Sequence, residues 1–226
     1  TLNYSNLTSK PFWWVKSSLV CLLAATFYLY EFSLQVAPSV MTNELMQAFG
    51  ITATGIGALS AFYYYSYTPM QLTAGILYDK FGPRFLLAFA VIVCACGALL
   101  FGAGHSLFFA AIGRLMMGFG SAFAFIGALL LISRWFPSRY FAFLAGLVQL
   151  LSSVGAIAGQ IPLAASVEKF GWEKSICVLG IFGFVLAGLI VLLIRNYPAH
   201  VAPDVSRTPK SNMRLGLRYV LGNPQA

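Results

Sequence analysis

The chain has 226 residues, of which 59% are hydrophobic and only 9% are charged, against about a quarter charged in soluble globular domains. That balance excludes a soluble enzyme or binding domain and indicates an integral membrane protein. The net charge of +8 does not imply a nucleic-acid partner, because the 14 Lys and Arg residues gather at the ends of apolar runs, where membrane orientation puts them.

Residues 1–11 form a polar tail with two glycosylation-like triplets, Asn3-Tyr-Ser5 and Asn6-Leu-Thr8, which matter only if this end faces a secretory lumen. Six runs then follow, each of about the length that a hydrocarbon core of about 30 Å demands of a helix. They are Trp14 to Val36, Ile56 to Leu77, Phe85 to Gly102, Leu107 to Ile132, Phe141 to Val167 and Ser175 to Ile194. The first is long enough to span and lacks an Ala-x-Ala-like exit, so it reads as a retained helix and not as a cleaved signal peptide. Short connections make successive helices antiparallel neighbours in an all-α bundle over residues 12–196.

Basic residues set the orientation. With the N-terminus in the cytoplasm, Lys10, Lys16, Lys80, Arg84, Arg134, Arg139, Arg195, Arg207, Lys210, Arg214 and Arg218 all lie inside, and only Lys169 and Lys174 outside. The expected location is a cell (inner) membrane. An internal echo supports the arrangement. Asp79-Lys-Phe-Gly82 after the second run matches Glu168-Lys-Phe-Gly171 after the fifth, 89 residues on, as in an inverted repeat of two three-helix units.

Beyond Ile194 the chain is polar and carries Pro198, Pro203 and Pro209, then Met213 to Leu221, which places Met213, Leu217, Val220 and Leu221 on one helical face and Arg214 and Arg218 on another. This reads as an interfacial helix on a lipid surface; a solvated linker is the alternative. Cys21, Cys94, Cys96 and Cys177 fall inside apolar runs without metal-ligand spacing, so neither a metal nor a cofactor is expected.

The most informative stretch is Gly75-Ile-Leu-Tyr-Asp79-Lys80-Phe-Gly82-Pro-Arg84, a charged turn between two apolar runs. Its acid-base-x-Gly-x-base order behind a Gly-x-Leu step resembles the signature between the second and third helices of the major facilitator superfamily. Arg114-Leu-Met-Met-Gly118 resembles that superfamily's fourth-helix motif, in which an arginine precedes a glycine by four positions and is associated with proton coupling. Arg134-Trp-Phe-Pro-Ser-Arg139 resembles a turn of the organic-anion and sugar-phosphate branches. The antiporter signature would place proline after the second of Gly155 and Gly159; Gln160 stands there instead, against a drug–proton antiporter. The resemblance implies the N-terminal six-helix half of a secondary active transporter, a 3+3 inverted repeat. In that reading residues 197–226 belong to the loop between two halves, and the C-terminal half is absent from this chain. It also implies that Gly75, Asp79, Lys80, Gly82 and Arg84 form a cytoplasmic conformational latch.

Two embedded charges remain, Glu31 in the first run and Arg114 in the fourth. Each costs about 2.5–3.5 kcal/mol if left alone in hydrocarbon, so the expectation is that they face inward at one depth and pair. The pair is either a structural clamp between helices or a site for proton and anion coupling, as in a symporter. Tyr63 and Tyr67 share a face of the second run, and Tyr28 lies one turn before Glu31. They line a wet cavity or pack against neighbours. Gln149 and Gln160 belong with them, and His105 stands in an outer turn. No Gly-x-Ser-x-Gly or His-Glu-x-x-His motif is present, so nothing suggests an intramembrane protease. The competing reading is a six-helix channel or membrane sensor. Arg114 favours a small carboxylate-bearing solute over a cation.

Overall fold

The computed structural model describes residues 11–104 and 106–194; the tail, His105 and the segment with the expected interfacial helix lie outside the described residues. Eight α-helices follow in order: α1 Pro11–Val40, α2 Thr42–Phe49, α3 Ala53–Phe81, α4 Pro83–Ala103, α5 Leu107–Ser121, α6 Ala124–Trp135, α7 Phe141–Phe170 and α8 Trp172–Leu193. A 3-10 turn, Ser138–Tyr140, precedes α7. There is no strand among the described residues.

Among the described residues five segments are long and apolar enough to cross a membrane: Ser17–Val40, Pro83–Ala103, Leu107–Trp135, Ser138–Phe170 and Trp172–Leu193. Two departures from the six simple runs are instructive. The second run, α3, meets the same standard only when joined to α2 across a bend of 103°. Its tyrosines, with Ser66, Thr68, Gln71 and Thr73, dilute its apolar character, yet 29 residues reach about 43 Å. The fourth run is broken into α5 and α6 at Ala122 and Phe123. There the Phe123 carbonyl accepts from Gly127 N–H at 3.0 Å and from the Tyr78 hydroxyl at 2.6 Å, so α3 braces the break.

The helices do not pack as a ring of sequence neighbours. α4 lies against α8 and α5, α3 against α5, and α1 against α7 and α6. The outward faces are apolar, as on α8, where Val178, Ile181, Phe182, Val185 and Leu192 are exposed. This is the surface that lipid accommodates.

The echoed turns have matching backbones. Gly82 (φ 76°, ψ 159°) ends α3 and opens α4; Gly171 (φ 86°, ψ 158°) ends α7 and opens α8. Each glycine N–H closes on a carbonyl four residues back at 2.9 Å, and each preceding lysine lies over the neighbouring phenylalanine ring, at 5.2 Å for Lys80 and 5.3 Å for Lys169. Positive φ explains why glycine occupies both positions.

Close approach governs the seam between α3 and α5. A Cβ on Gly118 would collide with the Tyr63 carbonyl and with Ser66 Oγ. The Ser66 hydroxyl, held within that gap, donates to Leu115 O at 2.7 Å. Gly118→Leu is therefore expected to overpack the seam by about 1–3 kcal/mol, read as a lowered melting temperature of the detergent-solubilised protein; an unchanged melting temperature would contradict this packing.

Candidate functional site

The site begins with Pro38 inside α1. Proline has no N–H, so the carbonyl four residues earlier, that of Leu34, loses its helical donor. In hydrocarbon such a group must find another partner. Arg114 supplies it: Nη1 donates to Leu34 O at 2.8 Å and Nη2 to Gln35 O at 3.4 Å. Arg114 is only 1% exposed, and its Cζ lies 4.8 Å from the centroid of the Tyr63 ring. Hydrogen bonds from a charged donor contribute about 1.5–3 kcal/mol each and a desolvated cation–π contact about 2 kcal/mol. These are enough to offset the burial of one guanidinium.

Glu31 is likewise 1% exposed, but it does not meet Arg114. The Tyr63 hydroxyl donates to Glu31 Oε1 at 2.5 Å, while Glu31 Oε2 and Arg114 Nε are buried without a hydrogen-bond partner. The expected direct ion pair is thus replaced by a bridge. Tyr63, fully buried, gives its hydroxyl to the acid and its ring face to the cation. The glycine at 118 makes this possible by letting the Tyr63 backbone lie directly on α5, four residues past Arg114.

The other aromatic candidates surround this bridge. Tyr67 stacks on Tyr63 with centroids 5.7 Å apart and accepts from Gln71 Nε2 at 2.7 Å. Tyr28 donates to Gln149 Oε1 at 2.9 Å, joining α1 to α7, and rests between the rings of Phe32 and Phe125. Gln35 Nε2 donates to the Tyr64 hydroxyl at 3.1 Å. Gln35 and Gln71 were not singled out from the sequence, although each stands four residues after a candidate, Glu31 and Tyr67. Tyr78 was also missed, since nothing in its spacing marks the carbonyl it serves.

The latch residues form a separate group, because Asp79 lies sixteen residues along α3 from Tyr63, about 24 Å away. Asp79 and Lys80 are exposed, as is Gly75, where an added Cβ would meet nothing. Arg84 donates to Val191 O through Nε at 2.9 Å and Nη2 at 2.6 Å, capping the end of α8. Trp135 and Phe136 of the Trp-Phe-Pro turn are buried within the bundle. Among the described residues no group of three or more His, Cys, Asp or Glu could hold a metal ion.

With this geometry in hand, comparison with known proteins is decisive for the family. The model described as Major Facilitator Superfamily matches residues 19–226. The chain belongs to the major facilitator superfamily. Among its relatives is "Probable sulfoacetate transporter SauU" of Cupriavidus necator, 25% identical over 162 residues, covering 72% of this chain and 37% of that protein. "Probable galactarate/D-glucarate transporter GarP" of Escherichia coli is 26% identical over 191 residues, covering 80% and 41%. "Ascorbate transporter, chloroplastic" of Arabidopsis thaliana is 24% identical over 211 residues, covering 91% and 39%. The fold matches the crystal structure of a bacterial homolog to the human lysosomal transporter Spinster, inward-facing and unoccupied. The TM-score is 0.73 and the identity 18%, over 96% of this chain and 50% of that one. The chain thus spans about two-fifths of the length of these curated relatives. It is a multi-pass membrane protein with the architecture of the N-terminal half of the superfamily fold.

The Pro38–Arg114 relation makes a sharp prediction. Arg114→Met should destabilise the protein, and Pro38→Ala, which returns an N–H to Leu34 O, should relieve part of that loss. A double-mutant cycle on thermal stability is expected to give a coupling of about 1 kcal/mol or more; strict additivity would remove the assigned role of Arg114 at that carbonyl.

Proposed function

We propose that this chain is the N-terminal half of a secondary active transporter that moves a small carboxylate-bearing solute by alternating access, coupled to protons. Residues 12–196 supply the bundle and 197–226 the loop towards a second half, in a cell inner membrane with the N-terminus in the cytoplasm. The observation that carries the reading is the buried Glu31–Tyr63–Arg114 cluster. A purely structural clamp accounts for Arg114, which serves the carbonyls of α1. It does not account for Glu31, a carboxyl with one oxygen buried and unpartnered, at a place where glutamine or leucine would cost less. A group so placed can carry a proton, and Tyr63 ties its state to the guanidinium that attracts an anion. The relatives whose names mention sulfoacetate, galactarate, D-glucarate and ascorbate support an acidic solute.

The latch follows from the exposed end of α3. Gly75 is small where none of the described residues crowds it, which suits close approach by the second half, and Asp79 stands exposed one turn further on. Rocking of two halves about this contact would expose the site alternately to either side.

Tests use the full-length carrier in proteoliposomes. Glu31→Gln should abolish accumulation driven by a proton gradient while leaving solute exchange across the membrane measurable; gradient-driven accumulation at the wild-type level would refute proton coupling through Glu31. Asp79→Asn should slow uptake several-fold with solute affinity retained, and an unaltered rate would remove Asp79 from the latch. Flux is expected to saturate with solute concentration, whereas linear flux would indicate a channel.

A further inference from the structure

Three phenol–amide pairs flank the bridged charges: Tyr28 with Gln149, Gln35 with Tyr64, and Tyr67 with Gln71. They form a continuous polar wall. Tyr28, Glu31 and Gln35 fall on one stripe of α1 and Tyr64, Tyr67 and Gln71 on one stripe of α3, by their three- and four-residue spacing. The Gln35–Tyr64 bond joins these stripes, and the Tyr28–Gln149 bond extends them onto α7. Along α1 alone the wall runs about 10 Å.

The wall does not belong to the lipid surface. Tyr64 is 48% exposed and Gln149 is exposed as well, and an amide or phenol turned to hydrocarbon lacks the partners it needs. The lipid-type faces of this molecule are apolar, as on α8. Nor is the wall saturated by its own bonds. The Tyr64 and Tyr67 hydroxyls accept from glutamine and keep their O–H to donate. Gln35 and Gln71 keep their carbonyl oxygens, and Gln149 keeps both amide hydrogens. Donors and acceptors therefore alternate along one surface.

That mixture is informative about the occupant. A bare carboxylate uses donors alone and an ammonium uses acceptors alone, whereas a hydroxyl both donates and accepts. We infer that the phenol–amide wall reads the hydroxyl groups of a polyhydroxylated acid, with the acid group near Arg114 and the hydroxylated chain lying along α1 and α3. This rests on the proposed anion site and adds that the solute is a polyol acid and not an unsubstituted one. A site built for hydroxyls discriminates strongly against an analogue that lacks them, because its own polar groups are then left unpaired.

The test compares three probes on the full-length carrier by competition against uptake and by thermal stabilisation: gluconate, hexanoate, and the neutral polyol sorbitol. Gluconate should bind at least about tenfold more tightly than hexanoate, each net hydrogen bond contributing up to about that factor. Gln71→Leu and Gln149→Leu should each erode this preference by loss of gluconate affinity, without a matching loss for hexanoate. Equal affinities for the two acids, or variants that weaken both acids alike, would overturn the role of the wall while leaving the anion site standing. Sorbitol binding as tightly as gluconate, or neither acid binding, would overturn the anion site itself and this inference with it.

Discussion

One side chain, Tyr63, holds the embedded chemistry together. A membrane interior penalises an isolated charge and an isolated hydroxyl alike, and Tyr63 addresses both penalties at once, with its O–H on Glu31 and its ring face under Arg114. Its place depends on a missing Cβ at Gly118, and the seam is fixed a turn later by Ser66 on the Leu115 carbonyl. The arginine-to-glycine spacing in α5 therefore has a direct physical meaning. The glycine seats the tyrosine on which the arginine lies.

A second constraint is backbone accounting. Pro38 leaves the Leu34 carbonyl without its helical donor, and the break between α5 and α6 leaves the Phe123 carbonyl open to a second bond. Arg114 answers the first and Tyr78 the second. Both answers come from one span to another, so the broken fourth span is tied to α1 near the charged cluster and to α3 close to the Asp79 turn. In a carrier that rocks as two bodies, such ties would let one half move as a unit.

Much of this fold was legible in the sequence, because run length is a direct consequence of the bilayer's thickness. The Asp79 and Glu168 turns were readable as echoes, and their shared backbone follows from glycine at φ values that other residues avoid. The break in the fourth run was not readable, since Ser121, Ala122 and Phe123 carry no proline or polar cluster to announce it. The weak apolar character of α3 was visible in the cluster Tyr63, Tyr64, Tyr65 and Tyr67 but was read as an ordinary span. Within the candidate site, Glu31, Arg114, Tyr28, Tyr63 and Tyr67 were singled out because charge and hydroxyl are conspicuous in hydrocarbon. The direct meeting of Glu31 with Arg114 was the natural inference from matched depth, and it missed that Pro38 gives the arginine a prior obligation. Gln35 and Gln71 escaped because each stands one turn beyond a more conspicuous candidate, Glu31 or Tyr67, and its role shows only in its bond to a phenol.

The account rests on the hydrogen bond from Tyr63 to Glu31, and infrared difference spectroscopy of the carboxyl group tests it most directly. In the full-length carrier, acidification should produce a protonated-carboxyl band that Glu31→Gln removes and that Tyr63→Phe shifts in frequency, as expected for a carboxyl that has lost its donor. A Glu31 band identical in wild type and Tyr63→Phe would show that the two side chains do not meet, and the bridge between acid and arginine would fall.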